Sequence, residues 1–144
     1  MSAESEPTVA PPRRGGFFLN VVPALLYVVA VFYGGGMRGS VVPTQEIRFG
    51  DKILHAIAFG AMVLVLRRAY AWLSPTWSAG RVLWLSALTS ALVGGLLELY
   101  QMALPHRSAE WLDFIADALG AALVAAALHW LTPRRDARSS RGFS

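Results

Sequence analysis

Four long apolar runs constrain this chain more than any other feature. They cover about residues 17–35, 49–71, 82–104 and 111–131, separated by segments rich in Gly, Pro, Ser and charge. Inside hydrocarbon a backbone must satisfy its own N–H and C=O groups, which leaves helices and closed barrels as spanning structures. A helix of about 20 residues, rising ~1.5 Å per residue, crosses the ~30 Å core. The second run is the shortest, since its uninterrupted part is only Ile53 to Leu66. It reaches spanning length when counted from Phe49 with Arg67 and Arg68 snorkelling to the interface. The chain is 55% hydrophobic and 15% charged, too apolar to cover a soluble core. The expected fold is an all-α, polytopic four-transmembrane-helix bundle over 17–131. A flexible tail (1–16) precedes it and a basic tail (132–144) follows. A cleaved signal peptide is the rival reading of the first run, but the run is long for one and ends in no clear small-x-small site.

Basic residues set the expected orientation. Arg13, Arg14, Arg67, Arg68, Arg81, Arg134, Arg135, Arg138 and Arg141 fall on one side of a four-span topology. Arg38, Arg48, Lys52 and Arg107 fall on the other. The excess places both termini in the cytoplasm of a plasma or inner membrane. Trp72, Trp77, Trp84, Trp111 and Trp130 lie near run ends, where interfacial anchors belong. The isoelectric point of about 10.1 therefore reflects topology and no nucleic-acid partner, because no basic face is interleaved with aromatics. The absence of cysteine excludes disulfides and thiolate chemistry.

This topology gathers polar residues at one membrane face. Asp51, Lys52 and His55 open the second span, Glu98 and Gln101 close the third, and His106, Arg107, Ser108 and Glu110 form the turn. Asp113 and Asp117 open the fourth span. Asp51/His55, Glu98/Gln101 and Asp113/Asp117 are spaced three or four residues apart, so each pair shares a helix face. The stripe Ser86, Ser90, Gly94, Glu98, Gln101 is small or polar throughout. It is expected to face Asp113, Asp117, Gly120, Ala121 and Ala125, because small residues let membrane helices approach closely. Glu98 and Asp117 lie about seven residues from the turn, roughly 10 Å deep by helix rise. Intramembrane ionisable groups are functional hypotheses by default.

The segments DKILHAIAFG and GGLLELYQMALPHRSAEWLDFIADALGAAL resemble the VanZ-like membrane proteins. The family pattern falls on Asp51, Lys52, His55, Glu98, Gln101, Pro105, Arg107, Asp113, Asp117 and Gly120. Asp117 departs from it, since many members carry Asn there, and the change adds a negative charge. The resemblance covers about residues 49–131. It implies a membrane bundle and a family named for resistance to the glycopeptide teicoplanin.

The binding residues expected from this reading are Asp51, Lys52, His55, Glu98, Gln101, Arg107, Asp113 and Asp117. Their ligand would be a lipid headgroup, a lipid-linked glycan or a glycopeptide, with Arg107 suited to phosphate or carboxylate by its forked donors. An enzyme using Glu98 or Asp117 with His55 is the second class, and a structural or small-solute transport role is the third. A hard-metal site from His55, Glu98, Asp113 and Asp117 has suitable ligand atoms, but no compact ligand motif marks it. No metal and no cofactor are expected. His106 and Ser108, two residues apart with no orienting acid, make a poor hydrolase pair. His129 reads as a packing or interfacial residue. Membrane lipids are the general partners.

Overall fold

Pro23 divides the first apolar run. Helix α1 (Arg14–Asn20) and helix α2 (Val22–Gly36) meet at Val21, because Pro23 has no N–H to offer the carbonyl four residues back. The break is slight, with Val21 N–H donating to the Phe17 carbonyl at 2.8 Å and Leu25 N–H to the Val21 carbonyl at 3.2 Å. The computed structural model describes residues 14–37, 50–105, 107 and 110–132. The tails expected over 1–16 and 132–144 lie almost wholly outside them, as do Arg38, Arg48, His106 and Ser108.

Helix α3 (Gly50–Leu73) continues for a turn and more beyond Arg67 and Arg68, so the run that looked shortest gains its length there. Arg68 Nε donates to Asn20 Oδ1 at 2.9 Å. The turn through Pro75 and Thr76 leads to helix α4 (Ala79–Met102). Its N-cap Ser78 accepts the Arg81 N–H at 3.3 Å, an oxygen offered to an otherwise orphaned donor. Helix α5 (Trp111–Leu131) completes the order. Four stretches, Gly16–Gly36, Gly50–Leu73, Ala79–Met102 and Trp111–Leu131, are long and apolar enough to cross a membrane. The protein is an all-α, multi-pass membrane-helix bundle, with no strand among the described residues.

The helices run alternately up and down. Gly16 meets Trp72 near the end of α3, and Gly35 meets Leu97 and Gln101 near the end of α4. The ends of α2 and α4 thus share one end of the bundle with the starts of α3 and α5. α3, α4 and α5 form the centre, where Phe59, Met62, Val63, Ala121 and Ala125 are essentially buried. α2 lies on its flank, tied by Tyr27 Oη to the Ala58 carbonyl at 2.9 Å. Leu25, Leu92, Leu96, Leu99 and Leu123 are all more than half exposed, as lipid-facing side chains are, because lipid tails provide no hydrophobic drive to hide them.

Two glycines set how closely the centre packs. A Cβ on Gly120 would run into the backbone of Ala56, and one on Gly60 would come within 2.9 Å of Val124 Cγ2 and 3.2 Å of the Gly120 carbonyl. α3 and α5 therefore approach nearly backbone to backbone just below the polar end.

Candidate functional site

The close approach of α3 and α5 stacks their polar residues in two layers, one helical turn apart. Lys52 is the centre of the outer layer. Its Nζ donates to Asp51 Oδ2, Glu110 Oε2 and Asp113 Oδ1, each at 2.8 Å. Three N–H donors meet three carboxylates, which is the full capacity of an ammonium. Lys52 and Asp113 are largely buried, whereas Asp51 and Glu110 are half exposed.

The inner layer is His55, Asp117 and Glu98. His55 Nδ1 lies 2.9 Å from Asp117 Oδ1, and its ring stacks on Phe59, with centroids 6.4 Å apart and planes 12° from parallel. Asp117 is fully buried against α4, where a Cβ on Gly94 would lie 2.7 Å from Oδ2. Only a glycine at 94 admits that carboxylate. Glu98 follows one turn later on α4, 7% exposed. Its Oε2 accepts the Glu110 N–H at 3.0 Å, which fastens the start of α5 to the end of α4.

The other two carboxylate oxygens, Glu98 Oε1 and Asp117 Oδ2, are buried and have no hydrogen-bond partner among the described residues. One donor atom from each of His55, Glu98 and Asp117 lies within 4.8 Å of the other two. An unmatched buried carboxylate oxygen is costly, and two in one layer can accept hydrogen-bond donors, protons or a cation.

The expected site residues do not all converge. Asp51, Lys52, His55, Glu98, Asp113 and Asp117 do. Gln101 and Arg107 turn instead to α2, with Gln101 Nε2 at 3.1 Å and Arg107 Nε at 2.9 Å from the Gly35 carbonyl. Both donate to a carbonyl in the last turn of a helix, where a cation is also favoured by the helix dipole. The small stripes of α4 and α5 meet at Gly94 and Asp117, but Gly120 closes on α3. Ser90 likewise bonds to α3, through the Phe59 carbonyl at 2.8 Å. Sequence reasoning missed Glu110 as a partner of Lys52 and Phe59 as the support of His55. The i, i+4 spacing of His55 and Phe59 was the available signal for the second. His129 sits at the far end of α5 against Trp84, with ring centroids 6.3 Å apart.

A cleft of about 510 Å3 opens at that opposite end, lined by Arg67, Arg68, Ser74 and Trp77 among others. It contains none of the carboxylates.

A family model described as VanZ/LLP1 matches residues 13–132, a stretch that includes every residue of both layers. Comparisons with curated proteins and with solved structures find no match. With its four membrane-length helices and a match over most of its length, the chain belongs to the VanZ/LLP1 family.

Proposed function

We propose that this chain acts at the cell envelope by binding the polar part of a lipid headgroup, a lipid-linked glycan or a glycopeptide at the two-layered end of its bundle. The observation that carries the reading is the pair of buried acceptors unpaired among the described residues, Glu98 Oε1 and Asp117 Oδ2. Acceptors call for donors, and sugar hydroxyls and peptide N–H groups supply them in number. Lys52 is engaged by three carboxylates and Arg107 Nε by a carbonyl, so a bare anion finds less to bind than a hydroxyl-rich group does. The polar end faces the outside of a plasma or inner membrane, both termini being cytoplasmic by the excess of arginine on that side.

A second reading has its own observation. His55 Nδ1 on Asp117 Oδ1 at 2.9 Å, with Glu98 beside it, is a pair able to hold or move a proton. In that case the site acts on the lipid-linked molecule instead of only holding it.

Orientation is tested first. The chain has no cysteine, so Ser108→Cys should react with an impermeant thiol reagent from outside intact cells, and Ser139→Cys should not. The reverse pattern would put the site on the wrong side for an envelope ligand. Function is tested by expressing wild type, Asp117→Asn, Arg107→Lys and Arg107→Gln at matched levels in a deletion strain. Survival against teicoplanin and lipid-targeting agents is scored beside native mass spectrometry for co-purified lipid. Loss of phenotype or bound lipid at unchanged melting supports the binding reading. If every variant matches wild type in both assays, the polar end is scaffold and the reading fails.

A further inference from the structure

The two layers of the polar end pose the same electrostatic problem and solve it differently. The outer layer holds three carboxylates, and an ammonium sits among them at 2.8 Å from each. The inner layer holds two carboxylates and an imidazole, deeper in the bundle, and among the described residues no lysine or arginine is bonded to them. Asp117 is 0% exposed and Glu98 7% exposed, yet each retains an oxygen without a partner among the described residues. Charge at this depth is expensive to leave unmatched.

We infer that His55, Glu98 and Asp117 form a binding site for a first-row divalent cation of the Zn2+ or Mn2+ class. The donor set decides the class. Mg2+ and Ca2+ favour all-oxygen shells, whereas one imidazole with two carboxylates suits borderline first-row metals. Donor atoms already within 4.8 Å of one another need side-chain movements of under about 1 Å to reach bonds of ~2.0–2.2 Å. The surroundings supply what a metal ligand needs around it. Phe59 holds the imidazole plane, and the Glu110 N–H anchors the second oxygen of Glu98. Such supporting contacts orient ligands and tune their affinity. Three protein ligands leave a coordination position open for an outside oxygen.

The Asp51, Glu110 and Asp113 trio also gathers oxygen atoms at metal-binding spacing, but Lys52 fills it. It serves as the internal contrast. The metal would occupy the same unpaired oxygens that the headgroup reading uses, but it is tested with the metal alone, so either can fail without the other.

The full chain is purified in detergent, stripped with a chelator and desalted, and then titrated with ZnCl2, MnCl2, MgCl2 or CaCl2. Retained metal is measured by inductively coupled plasma mass spectrometry, and melting is followed with and without each ion. The expected result is about one Zn2+ or Mn2+ per chain and a melting point that rises with its concentration, as for any ligand that binds only the folded state. His55→Gln, Glu98→Gln and Asp117→Asn should each weaken binding by at least the ~10–100-fold that loss of even a supporting group costs. His129→Gln, at the far end of α5, should bind as wild type does. Metal retained equally by all the folded variants would be adventitious surface binding and would overturn the site. Equal displacement by Mg2+ or Ca2+ would mean that the imidazole is not a ligand, and would overturn it too. If a variant does not fold, wild type with Co2+ decides. A visible absorption band with nitrogen ligation supports the site, and a stripped wild type that takes up no stoichiometric ion refutes it.

Discussion

Buried polar side chains occur in two regions of this bundle, and they differ in how completely they are matched. In the middle of α4, Ser86 Oγ donates to the Val82 carbonyl at 2.7 Å and Ser90 Oγ to the Phe59 carbonyl at 2.8 Å. Both serines are 0% exposed, and each hydroxyl has an acceptor. One turn and more toward the polar end, Glu98 and Asp117 are also buried, but among the described residues an oxygen of each has nothing to accept from. Burial of polarity in a membrane helix is therefore a weak marker of function, since matched groups serve as glue between helices. Incompleteness is the stronger marker. A fold that can satisfy Ser90 across a helix interface has the means to satisfy a carboxylate, and at Glu98 and Asp117 the described residues do not.

The largest effect should come from the close approach on which both regions depend. Gly120→Ala places a methyl against the backbone of Ala56, and backbone cannot rotate out of the way. We expect a loss of about 3 kcal/mol, the upper end for overpacking, seen as a steep drop in melting of the detergent-solubilised protein and in its membrane level. Near-normal melting would mean that α3 and α5 are held apart and that the inner layer is not assembled as described.

Next in size is the completed outer layer. Lys52→Met leaves Asp51, Glu110 and Asp113 facing one another without their cation. Breaking a buried pair costs about 3–5 kcal/mol, and the half-exposed Asp51 and Glu110 reduce that to roughly 2 kcal/mol here. Asp113→Asn added to Lys52→Met should recover part of the loss. Were Lys52→Met harmless, the outer layer would be no more scaffold than the inner one, and the contrast between them would go.

The smallest effect is expected at the matched serine. Ser90→Ala removes one interhelical hydrogen bond, worth about 0.6 kcal/mol on average in a membrane protein, and should leave survival and ligand binding as in wild type. A large functional loss with little change in melting would place Ser90 in the site and undo the distinction drawn between the two regions.

Much of this arrangement was legible in the sequence, for identifiable reasons. Hydropathy and length announce the four helices, because the membrane imposes both. Spacing by three and four residues put Asp113 with Asp117 and Glu98 with Gln101, and all four are buried. What spacing does not carry is which helices touch. α3 and α5 are not neighbours in the chain, so the seating of Gly120 on Ala56 and Gly60 needed the fold. Arg107 was legible as a cation in the turn, but not as a donor to the Gly35 carbonyl, since a backbone acceptor carries no sequence signal. The orphaned oxygens were equally invisible. A sequence displays carboxylates, and only the packing around Glu98 and Asp117 shows which of their lone pairs are met.

Glu98 allows the contrast between matched and unmatched groups to be tested at a single side chain, because it has one oxygen of each kind. Oε2 holds the Glu110 N–H at 3.0 Å, whereas Oε1 has no partner among the described residues. The measurement is the melting of chelator-stripped, delipidated wild type, Glu98→Gln and Glu98→Ala side by side. Glutamine keeps an acceptor for the Glu110 N–H and removes the charge. It should melt within about 0.5 kcal/mol of wild type or above it, as surplus charge held for a ligand would allow. Alanine leaves that N–H unmet and should cost about 1–3 kcal/mol. If Glu98→Gln falls as far as Glu98→Ala, the negative charge itself supports the fold, and the inner layer is scaffold and not a binding site.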